Sequence, residues 1–425
     1  MATDAHEGPP AADPGGVSLT LDDAAGAGAP PLDDPDGPAA GRARIDWKDV
    51  GRFAALGLLL LLVLIAIDVR QRGGNNPLSL IQPGQKGPSP ELFARDFPDD
   101  ELPNDRGLDG QQYYAIARNP FHLDETATNL DHPRYRYQRP LLPFTAWALH
   151  PTGGGTPLVL ALLFVSFLGI AILSVASGAL SMVLRGPPWI AAIVPLLPGA
   201  YWSLRVTVSD AMAVGLALAA IALSARDRRA WAIAVGCLAV LAKEPAILML
   251  LGWSLYRRSW RDALITAVPG AVIVGWMAWL NSQLPPDLPR SKDIGPPFEG
   301  VVKAWTEVWS QGGNYLAMAC VISGVVLAVA ALALRGLRHP LGWGVLVQLG
   351  FLVVMGMNPL GTDFGGTRMA MPVAVLAIIA LATPAGADAL SRPTWREAWS
   401  RRGGTASAAD DPADGAVTAP ATAPA

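Results

Sequence analysis

The sequence predicts an all-α, polytopic membrane protein of about ten transmembrane helices, with one short re-entrant or interfacial helix and a long first exoplasmic loop. Three observations lead there. Half of the 425 residues are hydrophobic and only 16% are charged, against about a quarter charged in an ordinary soluble chain. The apolar residues are gathered into blocks, and a block near 20 residues is what a bilayer span needs. The connectors between blocks are short and basic, the mark of cytoplasmic loops. Net charge is −3, which gives no sign of a nucleic-acid partner.

In chain order, residues 1–40 are rich in Ala, Gly, Pro and Asp and carry no aromatic residue. They cannot bury a core and are expected to be disordered, as is the Ala/Thr/Pro tail 404–425. The membrane domain is assigned to 41–403. Arg42, Arg44, Lys48 and Arg52 precede the first apolar run, 53–67. That run reads as a retained signal anchor with a cytoplasmic N-terminus, since a cleaved signal would not follow so long a polar leader.

Residues 70–138 lack an apolar block and form the first exoplasmic loop, irregular in its Pro- and Gly-rich first half and helical in its second. Apolar runs follow at 140–149, 157–184, 189–203, 206–224, 230–242, 245–256, 263–282, 315–334, 341–357 and 369–387. Placing the basic connectors at Arg185, Arg226–Arg229, Arg257–Arg261, Arg335–Arg338 and Arg392–Arg402 inside fixes a topology. Both termini are then cytoplasmic. The outward tips are Arg205–Asp210, Lys243-Glu244-Pro245, the second exoplasmic loop 284–313, and Asn358–Arg368. The run 140–149 then becomes the partial helix, since ten residues reach only ~15 Å, about half the hydrocarbon core; the alternative is that it spans and Arg185 lies outside. In the second loop, Val301, Val302, Trp305, Val308 and Trp309 recur at helical spacing, which predicts an amphipathic surface helix.

Polar groups cluster at the outward tips. Asp109 is either a helix N-cap, with Gln112 completing a capping box, or a general base at the membrane surface. Arg134, Arg136 and Arg139 alternate with Tyr135 and Tyr137. An interfacial anchor is the ordinary reading, but arginines on the outer side run against the positive-inside bias. Phosphate recognition by the guanidinium fork is the functional reading. Lys243 and Glu244 interrupt a long apolar stretch, and neighbours on a helix do not face each other. A site role is therefore favoured over a mutual ion pair. Gly361, Gly365 and Gly366 suggest a tight turn or close approach to a ligand before Arg368. Cys237 and Cys320 sit in apolar runs and read as small buried hydrophobes. No metal spacing exists; His122 and His132, with Asp124 and Asp131 nearby, are the one weak place for a divalent ion, and no other cofactor is called for.

The order of these features resembles the GT-C superfamily of integral-membrane glycosyltransferases, in particular its bacterial mannosyltransferase-like members. The resemblance rests on one helix, then Asp-Gly-Gln-Gln-Tyr-Tyr (109–114), Tyr-Arg-Tyr-Gln-Arg-Pro-Leu-Leu-Pro (135–143), Ser209-Asp210 and Ala-Lys-Glu-Pro-Ala (242–246). It covers residues 50–260 well. It implies transfer of a sugar from a polyprenyl-phosphate donor to a glycan, lipid or protein acceptor, on the outer face of the cytoplasmic membrane. Asp109 matches the family's loop acid, which serves as base or helps to bind a metal. Arg139, Lys243 and Arg368, with Arg136, match the cations that hold the lipid phosphate. Tyr113, Tyr114, Tyr137, Gln138, Asp210 and Glu244 are expected in support. The family's paired-acid motif is missing from the loop, where Asp99-Asp100 is the nearest pair. A transporter or flippase of lipid-linked glycans, a polymerase of them, or a non-catalytic membrane subunit are the competing classes; a transporter would carry its ionisable groups near the midplane.

Overall fold

The computed structural model describes residues 45–72, 76–287 and 293–385. The tails expected to be disordered, the basic segment Arg392–Arg402 and residues 41–44 lie outside that range. Among the described residues all regular structure is helical, in eighteen α-helices with no β-strand.

Helix α1 (Trp47–Arg72) contains the first apolar run. The loop beyond it holds α2 (Pro90–Asp96), α3 (Asp109–Arg118), α4 (Leu123–Ala127) and α5 (Pro133–Tyr137). Its irregular half is pinned by packing of Phe93 against Tyr114, the rings tilted by 31° with centroids 4.9 Å apart. Helix α6 (Leu141–Leu149) is the expected partial helix; its nine residues reach only ~14 Å. Helix α7 (Thr156–Val183) follows.

The run 189–203 departs from expectation. It is not one helix but α8 (Ile190–Ile193), a 3-10 turn and α9 (Pro198–Arg205). Pro195 and Pro198 each remove an N–H from the ladder, which breaks the helix between them. Next come α10 (Asp210–Ala225), α11 (Arg229–Ala242), α12 (Ala246–Arg257), α13 (Trp260–Gln283), α14 (Glu299–Glu307), α15 (Tyr315–Arg335), α16 (Gly342–Val354), α17 (Met357–Leu360) and α18 (Asp363–Ala382).

Among the described residues five helices are long and apolar enough to cross a membrane: α1, α7, α13, α15 and α18. Helices α10, α11, α12 and α16 are apolar but shorter, at 12 to 16 residues. At 1.5 Å per residue they reach only ~18–24 Å, so length alone does not carry the count of about ten spans. The long helices divide by burial. Two thirds of the α18 window and over half of the α7 window are buried, against about a quarter for α1, α13 and α15. Helices α7 and α18 are therefore central, while α1, α13 and α15 present bare faces, among them Leu59, Leu62 and Val63, Val274, and Val326 and Val329. Exposed apolar surface this extensive is unusual for a soluble protein and suits lipid.

The centre packs closely through small residues. A Cβ at Gly215 would lie 2.5 Å from the Leu173 nitrogen, and one at Gly169 2.6 Å from the Met212 Cβ, so α7 and α10 touch nearly backbone to backbone. The glycines before Arg368 do the same work. Gly361 is right-handed, and Gly365 and Gly366 lie inside the first turn of α18. A Cβ on Gly366 would meet Ala317 at 2.8 Å. Gly366 lets α18 pack against the start of α15, while Gly365 closes on the Pro359 carbonyl just before the helix and Gly361 on that of Met357.

Helix α14 is the amphipathic element expected in the second loop. Val302 and Trp305 are exposed and Ala304 is buried, but the helix stops at Glu307, so Val308 and Trp309 of the expected stripe lie beyond it, Trp309 buried in a 3-10 turn. Cys237 and Cys320 are unpaired and half-buried.

Candidate active site

Four cations and four carboxylates from five parts of the chain meet at one end of the bundle. Asp109 is their centre. It is the first residue of α3 and not its cap; the capping residue is Leu108, and no side chain caps the helix. The capping box is also absent, since the Gln112 side chain accepts instead from the Asp131 N–H at 3.3 Å. Asp109 is thereby free to turn inward. Its Oδ1 accepts from Arg136 Nη1 at 2.8 Å and its Oδ2 from Arg368 Nη2 at 3.1 Å.

The lattice continues through both arginines. Arg136 also donates to Asp131, with Nε and Nη2 each at 2.7 Å. Arg368 reaches Asp210 Oδ2 at 3.3 Å, and Asp210 Oδ1 takes the Lys243 ammonium. Arg139 pairs with Glu244 at 3.2 Å. Its Nη2 donates to the Tyr135 hydroxyl at 2.8 Å, and its guanidinium lies 4.4 Å from the Tyr135 ring centroid.

Local structure explains how these groups converge. Asp109 and Asp210 each open a helix, where the positive end of the dipole favours a carboxylate. Lys243 ends α11 in an extended conformation. Pro245 follows at the head of α12, so Lys243 and Glu244 occupy a break in the helix and are not adjacent on one face. Gly110 brings α3 into place: a Cβ there would lie 2.6 Å from the carbonyl oxygens of Ile81 and Val206. Tyr113 ties the same helix to α10, its hydroxyl 3.0 Å from Ser209 Oγ. Ser209 in turn donates to the Ala242 carbonyl at 2.7 Å, which joins α3, α10 and the α11–α12 break.

The electrostatics follow from burial and neighbours. Burial alone would raise the Asp109 pKa, but Arg136 and Arg368 outweigh it and hold the carboxyl well below the usual carboxylate range. Burial would lower Arg136, but Asp109 and Asp131 hold it above its ordinary value. Burial pushes the Tyr113 hydroxyl up to about 12, so it stays protonated and can donate.

Of the sequence-predicted residues, Asp109, Arg136, Arg139, Lys243, Arg368, Asp210, Glu244 and Tyr113 come together. Tyr114 does not. One residue further round α3 it faces away, donating to Asp96 at 2.8 Å and accepting from the Gly155 N–H at 2.6 Å. Tyr137 is also structural; it is fully buried, and its carbonyl accepts from Trp276 at 2.8 Å. Gln138 closes α5 with its backbone N–H on the Arg136 carbonyl.

The weak divalent-ion site does not assemble. His122 Nδ1 bonds Asn119 at 2.6 Å, Asp131 is committed to Arg136, and among the described residues no three His, Cys, Asp or Glu groups converge as metal ligands. Sequence reasoning missed Tyr135, which holds Arg139, and Ser209 as the link to Tyr113. It also missed Asp287, whose Oδ1 accepts from the Arg134 N–H at 2.9 Å and whose Oδ2 accepts from the Tyr135 N–H at 3.1 Å. The alternation of Tyr with Arg was the available signal for Tyr135.

Beside Asp210 and Lys243 a narrow cleft of about 30 Å³ continues into the bundle between Ala213, Met249, Phe351 and Pro372. The arrangement is thus a cation cluster over an apolar slot, neutralised by its own carboxylates. No known family model, curated protein or solved structure matches this chain.

Proposed function

We propose that this chain is a membrane glycosyltransferase that moves a sugar from a polyprenyl-phosphate donor to a glycan, lipid or protein hydroxyl at the outer face of the cytoplasmic membrane, within a GT-C-like bundle of about ten spans with both termini inside. The observation that carries the reading is the meeting of Arg136, Arg139, Lys243 and Arg368 around Asp109, at the ends of apolar helices. Such a cluster suits a phosphate held at the lipid surface, with the isoprenoid chain entering along the cleft between α10, α12, α16 and α18 as those helices part.

In the transfer, an acceptor oxygen attacks the anomeric carbon, the bond from that carbon to the phosphate oxygen breaks, and the acceptor proton passes to a carboxylate. Negative charge grows on the departing polyprenyl phosphate, so fixed guanidinium groups stabilise the transition state more than the ground state. Asp109 is the base, yet at rest both of its oxygens are occupied by arginines, and a carboxylate held so far below its usual range accepts protons poorly. Donor binding resolves this. A phosphate that takes N–H groups from Arg136 and Arg368 releases Asp109 and raises its basicity only when a donor is present. Direct attack by the acceptor oxygen from the face opposite the phosphate, with Asp109 only taking its proton, inverts the anomeric centre.

A transporter would place its ionisable groups near the midplane. Here Asp210 opens α10, Lys243 ends α11 and Arg368 lies within the first two turns of α18, which favours surface chemistry. The test is transfer of label from polyprenyl-phosphate sugars in proteoliposomes. Wild type transfers, and Asp109→Asn does not despite normal folding; equal transfer by both removes Asp109 from the mechanism.

A further inference from the structure

The cleft beside Asp210 and Lys243 is apolar over most of its wall, with Met249 on α12, Phe351 on α16 and Met371 on α18. One lining side chain is out of character. Gln348 sits near the middle of α16, ~9 Å of helix from its C-terminal end. It is 3% exposed, it lines the cleft, and its amide makes no hydrogen bond to any described residue. Val345 and Leu352, a turn before and after it on the same face, are buried and apolar, so another aliphatic residue would serve for packing. An amide buried without partners is costly. The groups that satisfy this one therefore come from what the cleft holds.

A second polar group lines the same cleft. The Lys243 ammonium has three N–H donors and gives one to Asp210 Oδ1; the others make no hydrogen bond to a described residue. The cleft's volume of about 30 Å³ admits about two water molecules and no sugar ring. A cation is disfavoured beside an ammonium. Water suits both groups. It needs two to four polar partners, and here it accepts from Lys243 and exchanges hydrogen bonds with the oxygen and nitrogen of the Gln348 amide.

We infer that Gln348 and Lys243 bind about two ordered water molecules in this cleft, and that Gln348 thereby limits how tightly an apolar chain is held there. The second clause rests on the glycosyltransferase reading, in which an isoprenoid chain enters along the cleft. Such a chain displaces the water and offers the amide no hydrogen bond, so the stranded amide weakens chain binding by roughly 5- to 150-fold. Donor and spent polyprenyl phosphate share the chain and are weakened alike. Gln348 is then a specificity-determining residue that favours departure of the lipid product after transfer.

The test uses the full chain purified in detergent. X-ray radiolysis of bound water forms hydroxyl radicals in place, and these oxidise a nearby methionine to its sulfoxide. Met249 and Met371 line the cleft at 1% and 2% exposure, while Met212, at 4%, lies outside it against Gly169 of α7; mass spectrometry follows all three. In wild type Met249 and Met371 should oxidise several-fold faster than Met212, and in Gln348→Leu they should fall to the Met212 rate. An unchanged Met212 rate reports that the variant keeps its packing. Equal rates in wild type, or fast oxidation that persists in the variant, overturns the water site. Titration calorimetry with polyprenyl phosphate reads the second clause: Gln348→Leu should bind roughly 5- to 150-fold tighter than wild type. Equal or weaker binding by the variant overturns the limit on chain binding. Absence of binding by both proteins removes the polyprenyl-phosphate reading instead, and methionine oxidation still decides the water site.

Discussion

Replacing Asp109 by Asn should tighten the binding of polyprenyl phosphate while abolishing transfer. The two arginine contacts, at 2.8 and 3.1 Å, are charge-assisted hydrogen bonds of about 1.5–3 kcal/mol each. Asparagine keeps one acceptor oxygen and turns an amide N–H toward the other guanidinium, so the variant loses about 2–3 kcal/mol of stability. It still folds, because Arg136 keeps Asp131 and Arg368 keeps Asp210. The cluster then holds one carboxylate fewer against four cations, and the competitor for the phosphate is gone. An uncompensated charge about 4 Å away in a partly screened site contributes at most ~4 kcal/mol; a net gain of ~1.4 kcal/mol would already give tenfold tighter binding. Transfer should fall by ~10²–10⁴-fold, as for loss of a general base. Titration calorimetry with polyprenyl phosphate in detergent measures the first effect, and labelled transfer in proteoliposomes the second. If Asp109→Asn binds polyprenyl phosphate no better than wild type, or worse, Asp109 does not compete for the arginines and the displacement argument fails.

Gly110→Ala should lower stability by about 1–3 kcal/mol and activity with it, because its Cβ would strike two carbonyl oxygens at 2.6 Å. Gly51→Ala, in α1 with nothing within 4 Å, should stabilise by about 0.5–1 kcal/mol; thermal midpoints of the pair check both. Arg139→Met should cost more than its hydrogen bonds suggest, since Glu244 then lacks the guanidinium that both of its oxygens accept from; restoring the midpoint with Glu244→Gln in the same chain would show that charge imbalance was the cause. Stability against pH separates two groups. Asp109 and Asp131 have folded pKa values below their ordinary ones, so their contribution is fully present above pH ~4 and is lost only as pH falls through the lower folded values. His339 acts in the same direction but at higher pH. Its Nδ1 accepts the Leu341 N–H at 3.2 Å, its Nε2 lies 2.9 Å from Thr383 Oγ1, and burial lowers its pKa to about 4. Between pH 6.5 and 4 the unfolded chain binds the proton more readily, so stability should drop by about 3 kcal/mol on acidification and then level off. His339→Gln should flatten that slope; a slope that persists in the variant assigns it to other groups.

Much of the architecture was legible in the chain. Each apolar run became helical, because a long apolar block with few breakers has no better way to satisfy its backbone than its own i to i+4 ladder. The run 189–203 broke at Pro195 and Pro198, which the sequence displays. Residues 140–149 formed a short helix because Pro140 and the Thr-Gly-Gly-Gly sequence at 152–155 bound it. Most positions of the charge cluster were legible as charges where apolar runs end, at Asp210, Lys243, Glu244 and Arg368, and Asp109 as an acid opening a short helix in the first loop.

Which charge meets which was decided only by tertiary structure. Arg368 lies 259 residues from Asp109 and 158 from Asp210, and no local pattern specifies a bond across that distance. The rotation of α3 sent Tyr113 to Ser209 and its neighbour Tyr114 to Asp96; the motif presents them as a pair, but a turn of about 100° per residue separates their faces. Whether Asp109 caps α3 or turns inward was likewise undecidable from spacing, since both readings require an acid at the start of the same helix. The outcome depended on Gly110 bringing α3 against Ile81 and Val206. Apolar periodicity determined the helices because it acts between residues a turn apart. Packing of those helices determined the site, because a carboxylate's basicity depends on the charges within a few ångströms, wherever in the chain they originate.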